Sequence, residues 1–249
     1  MIASDVQRTR DGTVSRPTQH TVVGGMERNW GGLVPVLTVW GRKTSFNVQA
    51  LMWCIGDLGL PHERHDAGHR CGGTDTPAFL AMNPNGTAPV LRDGDGEPLW
   101  ETGAILRYLA RRYGSAPFWP LDGVARARID KLAEWSKIRV ATNFNLPISW
   151  KVVRTAPANQ DPVAISQAVG KLDAMLDIAE AQLARGGFLA GDSFTLADIQ
   201  FGHVLYRYFD IPIARCGRPA LKHHYDRLSV RPAFREHVMV SYEELRVVG

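Results

Sequence analysis

Two stretches of this sequence put hydroxyl, amide and acidic side chains where helices should begin. Helix beginnings are where negatively charged groups are stabilised, by unsatisfied N–H groups and the positive end of the dipole. In the first stretch, Thr44, Ser45 and Asn47 follow a Gly41-Arg42-Lys43 break. They precede Val48, Leu51, Met52 and Ile55, which recur at helical spacing. Thr44 or Ser45 stands where an N-cap belongs, and a role confined to capping is the plain alternative to chemistry. In the second stretch, Glu101-Thr102 opens another helix, where the Thr102 N–H and hydroxyl suit a carboxylate; here too a simple cap is the alternative. The first loop carries no cysteine, which argues against dithiol–disulfide exchange on it.

The elements that must position these residues can be read outward from them. Val36–Trp40 is a short apolar, β-rich run and predicts a buried strand. The helix after it ends at Gly59-Leu60-Pro61, and His62 to Asp66 reads as a polar edge strand. Beyond a Gly-rich loop, Thr76 to Met82 predicts a short helix and Asn83-Pro84-Asn85-Gly86 a turn. Two short strands, Ala88–Leu91 and Pro98–Trp100, are joined through Asp93-Gly94-Asp95-Gly96. Ile105, Tyr108, Leu109 and Tyr113 share one face of the next helix. After a Gly/Pro-bearing linker the pattern is helical throughout. It has a weak stripe at Ile129, Leu132, Ser136 and Val140 and a clean one at Ile165, Val169, Leu172, Leu176, Ala179 and Leu183. Elements of βαβ type followed by helices alone predict two domains.

Composition narrows the classes. A formal net charge of +4 without any dense Lys/Arg block argues against nucleic acid as partner. No apolar run approaches the roughly 18 residues of a membrane span. Three cysteines, Cys54, Cys71 and Cys216, make no disulfide framework and fit a reducing, cytoplasmic setting. Cys54 falls on an apolar helix face and reads as core, whereas Cys71 lies in a loop, either as a spectator or as a thiol open to mixed disulfides. The eight histidines form no metal-ligand pattern, and His223-His224 are neighbours that point apart on a helix; no metal is expected. Residues 1–33 lack apolar periodicity and are expected to be a disordered extension or an over-extended start; Arg8, Arg10 and Arg16 hint at a transit peptide, but Asp5, Asp11 and Glu27 oppose one.

Four segments, in order, resemble the glutathione transferase family. Gly41-Arg42-Lys43-Thr44-Ser45-Phe46-Asn47-Val48 is similar to its first strand-to-helix loop, and Asn83-Pro84-Asn85-Gly86-Thr87-Ala88-Pro89-Val90-Leu91 to its NP…VPxL segment. Trp100-Glu101-Thr102-Gly103-Ala104-Ile105 is similar to its ES-x-AI motif, with Thr for Ser, and Phe194-Thr195-Leu196-Ala197-Asp198-Ile199 to its FTLADI signature. The first loop and Val153-Arg154-Thr155 look like bacterial members that keep Asn, Ser or Thr near the thiol.

The resemblance implies an α/β thioredoxin-like N-terminal domain, with a mixed four-stranded sheet, at 34–114. A linker at 115–121 and an all-α helical domain at 122–249 would follow it. It implies a cis Ala88-Pro89 peptide, whose Ala88 backbone would pair with the cysteinyl part of glutathione. Thr102 would hold the γ-glutamyl carboxylate and Glu101 the α-amino group, with Thr44, Ser45 and Asn47 competing as donors to the sulfur. Thr44 is preferred among these, although several classes place their catalytic residue one or two positions earlier, at Arg42 or Lys43 here. Arg42, His69 or Arg70 would meet the glycine carboxylate, while Arg154 and Trp40 would border the second substrate. The capping-box pattern Thr195–Asp198 is expected to serve folding. The expected activity is conjugation of glutathione, as co-substrate, to a small electrophile by a homodimer. Glutathione-dependent reduction of peroxides or disulfides, or ligand binding without turnover, are the alternatives.

Overall fold

A computed structural model of the chain describes residues 35–247. The extension expected at 1–33 lies outside them. The chain divides into two compact units, one with 35–42 and Gly59–Trp100, the other with Lys43–Leu58 and the chain from Glu101 onward.

The first unit is a four-stranded sheet: β1 (Leu37–Trp40), β2 (His62–His65), β3 (Val90–Asp93) and β4 (Leu99–Trp100) in the order β2-β1-β3-β4. β1 is parallel to β2 and antiparallel to β3, and β3 and β4 are antiparallel. β1 has a neighbour on both sides, and its Leu37 and Val39 are fully buried. The edge strand β2 reads His-Glu-Arg-His, a charged edge that discourages pairing with other chains. The β3–β4 turn uses Gly94 at φ 56°, a conformation that favours glycine, and Gly96 N–H donates to Asp93 O at 3.0 Å. Helix α2 (Pro77–Met82) starts on Thr76, whose hydroxyl accepts from Phe79 N–H at 3.3 Å. Its Phe79 joins Ala67 and Val90 in a small core against which Trp40 and Met82 pack.

The second unit is helical. It contains α1 (Phe46–Leu58), α3 (Thr102–Tyr113) and α4 (Gly123–Trp135). Beyond α4 the chain stays helical to Val153 but widens twice into π-helical turns, Ser136–Ala141 and Asn145–Trp150, around α5 (Thr142–Phe144) and before α6 (Lys151–Val153). Ile129, Ser136 and Val140 are buried as the 3.6-residue period predicts, but Leu132, still within α4, is only half-buried, and Ala133 beside it is buried instead. The Ser136 hydroxyl is satisfied by Leu132 O at 2.7 Å. The connection before α4 holds a second cis peptide, Ala116–Pro117, that nothing in the local sequence marks.

Helix α7 (Pro162–Gly186) begins on Asp161, whose carboxylate accepts from Val163 and Ala164 N–H at 3.0 Å. It ends on Gly187 at φ 79°. Its buried stripe is the expected one, Val169, Leu172, Leu176, Ala179 and Leu183, with Ile165 at the margin. α8 (Leu196–Gly202), α9 (Leu205–Asp210), α10 (Pro219–Ser229) and α11 (Pro232–His237) complete the unit. α8 opens on the expected capping box. Buried Asp198 accepts from Thr195 N–H at 2.8 Å and Thr195 Oγ1 at 3.0 Å, and also ties down Leu189 N–H at 2.8 Å. His224 is fully buried, its Nε2 3.7 Å from Asp198, while His223 faces solvent.

α1 is gripped from the far end of the sequence. Its Trp53, fully buried, meets Phe234 edge-on at 4.8 Å, and Asp57 pairs with Arg231 at 2.9 Å. Cys54, on the same buried face, is fully enclosed, and burial pushes its thiol pKa up, as a core reading requires. Gly202 lets α8 approach this helix: a Cβ there would lie 2.5 Å from Leu228 and 3.0 Å from Trp53. Gly202→Ala should therefore cost about 1–3 kcal/mol of unfolding free energy by overpacking. Gly170, on α7 with open space around it, should gain about 0.5–1 kcal/mol as Ala from helix propensity. Urea denaturation of both variants measures the two signs.

Candidate functional site

The second unit brings Thr44, Ser45 and Asn47 together at the N-terminus of the 13-residue helix α1, whose own first turn carries no acidic side chain. The three differ in what they can still offer. Thr44 is 1% exposed, its hydroxyl donates to Glu244 Oε1 at 2.5 Å, and its carbonyl accepts from Arg207 at 2.6 Å. That hydroxyl hydrogen is already engaged, which weighs against Thr44 as the first donor to a ligand. Ser45 and Asn47 are half-buried. The Ser45 carbonyl receives Gln49 N–H at 2.8 Å, and Asn47 Oδ1 receives the Lys137 ammonium at 2.5 Å.

Arg207 holds this corner. It is 2% exposed and lies over the Phe46 ring at 4.1 Å and the Tyr242 ring at 4.7 Å. Tyr242 in turn donates from its hydroxyl to Asp210, and burial with that bond raises the phenol pKa. His203 is 1% exposed, and burial, reinforced by the Lys137 charge, pushes its pKa down to about 3. Lys137, Arg207, His203, Tyr242 and Glu244 were not legible as site residues. They lie about 90 to 200 positions from the loop they support and belong to no local motif.

α3 starts on Glu101, a non-glycine residue at φ 67°, an uncommon conformation of the kind found at functional positions. Glu101 is exposed and its carbonyl accepts from Ile105 N–H at 3.0 Å, while Thr102 beside it is 2% exposed. Arg154 follows α6, and its guanidinium lies 4.1 Å over the half-exposed Trp150 ring.

The first unit carries the other expected residues. The Ala88–Pro89 peptide is cis, as the resemblance implies against the usual preference of X-Pro bonds. The turn before it is built by buried Asn83, whose side chain donates to Thr87 O at 2.7 Å and accepts from Asn85 N–H at 3.0 Å. Arg42 is half-buried, with its N–H on Ala67 O at 3.1 Å. Trp40 packs on the small core, 5.9 Å from the His65 ring and beneath the Arg92 guanidinium at 5.6 Å. His69, Arg70 and Cys71 form an exposed turn. Among the described residues, no group of three or more His, Cys, Asp or Glu is arranged to hold a metal ion, and no helix is long and apolar enough to cross a membrane.

A mixed β2-β1-β3-β4 sheet with α1 and α3 flanking it in sequence, followed by helices only, is a thioredoxin-like N-terminal part with an all-helical C-terminal part. The family model of the glutathione S-transferase N-terminal domain matches residues 44–112, and that of the C-terminal domain residues 162–227. The chain is 36% identical over 206 residues to glutathione S-transferase GstB of Escherichia coli (strain K12), covering 82% of this chain and 99% of that one. It is 33% identical over 211 residues to glutathione S-transferase 3 of Zea mays, covering 81% and 93%. Among solved structures, the theta class glutathione S-transferase of Xanthomonas axonopodis pv. citri, with glutathione bound, is 39% identical with a TM-score of 0.79, covering 83% of this chain and 99% of that one. The chain belongs to the glutathione S-transferase family and is a transferase of that type.

The His203 environment sets a pH dependence. Its folded pKa lies below the unfolded value of about 6.5, so the unfolded chain takes up the proton first. The stability His203 contributes is complete above that unfolded value and declines as pH falls toward about 3. The melting temperature of wild type should drop more steeply between about pH 7 and 5 than that of His203→Asn.

Proposed function

We propose that this transferase uses glutathione as co-substrate and joins its sulfur to an electrophilic carbon of a small molecule. The thiol proton leaves to solvent. The thiolate forms a C–S bond, and the leaving group departs with the electron pair of the bond it breaks. The observation that carries this reading is the first turn of α1, where Ser45 and Asn47 stand half-buried at the positive end of a 13-residue helix. The related Xanthomonas enzyme, solved with glutathione bound, supports the choice of thiol.

Among the three donors, we assign the sulfur contact to Asn47 with Ser45 beside it, because the Thr44 hydroxyl is directed at Glu244. Thr102, at the start of α3, is assigned the γ-glutamyl carboxylate through its N–H and hydroxyl, and Glu101 the α-amino group. The Ala88 backbone is assigned the cysteinyl backbone and Arg42 the glycine carboxylate. Arg154 and Trp40 remain candidates for the second substrate. On this reading 34–114 is the glutathione-binding domain, 115–121 the linker and 122–249 the helical domain, in a cytoplasmic homodimer. Catalysis then consists of thiol activation and positioning.

Calorimetry with reduced glutathione, together with thiolate absorbance of the bound ligand across pH, tests the assignment. Wild type should bind glutathione and lower its thiol pKa. Asn47→Ala should raise that pKa by about one unit, a tenfold loss of thiolate at pH values below it. Thr102→Ala should instead weaken binding, by about tenfold, with the thiol pKa kept. Glutathione bound with an unshifted thiol would mark a binding protein. Turnover of hydroperoxides without turnover of halogenated electrophiles would mark a reductase.

A further inference from the structure

Lys137 is carried on the first π-helical turn, Ser136–Ala141, and its own carbonyl is taken by Thr142 Oγ1 at 3.1 Å. Its backbone belongs to the helix after α4, yet its ammonium ends on α1, donating to Asn47 Oδ1 at 2.5 Å. The acids that face it are Glu101, which caps α3, and Glu134 at the end of α4, while His203 at the end of α8 faces it as a neutral ring. Burial pulls the Lys137 pKa below the usual lysine range, and both acids oppose that pull. Taking an ammonium even partly out of water is costly, so a lysine at this half-buried place invites a reason beyond packing.

The reason follows from hydrogen-bond chemistry. A carboxamide has one accepting end and one donating end, and either way round fits the same shape. An ammonium has only donors. The end of Asn47 that meets Lys137 is therefore its oxygen, and the NH2 group, in the same plane, points away on the other side of Cγ. We infer that Lys137 is a positioning residue: it fixes the Asn47 amide with its NH2 presented at the first turn of α1, as the donor for the glutathione sulfur. This rests on the reading of Asn47 given under Proposed function. Without the lysine, Asn47 can rotate and offer its carbonyl oxygen to the thiolate, which repels it.

The test uses Lys137→Met, Asn47→Ala and the double variant in the full-length protein. It reads the Kd for glutathione, the thiol pKa of the bound ligand and the split of kcat from KM with a halogenated aromatic electrophile. Lys137→Met should raise the thiol pKa by about one unit and lower kcat about tenfold below that pKa, with the Kd changed less than about threefold. In the Asn47→Ala background the same substitution should add almost nothing, because the lysine acts through the amide. Lys137→Arg, also a pure donor, should keep the lowered pKa. If Lys137→Met does not fold, Lys137→Ala carries the same expectation at this half-buried position. An unchanged thiol pKa in the single variants overturns the inference, and so does an equal rise with and without Asn47. Wild type that fails to bind glutathione, or binds it with an unshifted thiol, overturns the proposed function first and this inference with it.

Discussion

A guanidinium 2% exposed must be met on every side by groups that replace its water, and Arg207 organises the helical unit around that requirement. Two aromatic faces, Phe46 from α1 and Tyr242 from the chain's end, lie against it, and the Thr44 carbonyl takes one of its N–H groups. These partners come from two distant stretches of sequence, the loop that opens α1 and the segment around Tyr242. Their convergence ties down the entry of α1, because Thr44 and Phe46 both engage Arg207. The Glu244 carboxylate on the Thr44 hydroxyl adds a second tie at the same residue.

The consequence is a division of labour within four residues. Thr44 is held inward and keeps the loop in place. Ser45 and Asn47, on the half-buried side of the same turn, keep the geometry that this anchoring provides. A donor aimed at a developing anion is worth most when it does not have to reorganise, so on the proposed assignment Thr44 serves the chemistry by anchoring its neighbours. Glu101 makes the same point on α3: its left-handed backbone is the strained position, while buried Thr102 takes the regular start of the helix.

Much of the architecture was legible because it rests on local rules. The β1 run, the α7 stripe, the short helix before Asn83 and the Thr195–Asp198 box each follow from a few adjacent residues, and each is found. The cis Ala88–Pro89 peptide was reached only through the family resemblance, since X-Pro bonds by themselves favour trans. The π-helical turns and the Ala116–Pro117 peptide escaped because no short pattern announces them. The residue types of the candidate loop were readable, but their ranking was not. Whether Thr44 or Asn47 faces a ligand depends on Glu244, Arg207 and Lys137, whose positions in the chain say nothing about their positions in space.

The tie between Thr44 and Glu244 spans 200 residues, and Asp57 at the other end of α1 waits on Arg231, 174 residues later. A ribosome adds roughly 5–20 residues each second, so the 174 residues from Asp57 to Arg231 take about 9–35 s to add. During that interval Trp53 and Phe46 have no Phe234 or Arg207 to pack against. Until Phe234 is made, nascent chains of this protein therefore leave the Trp53 face of α1 without that cover, a natural point of engagement for chaperones that bind exposed hydrophobic segments.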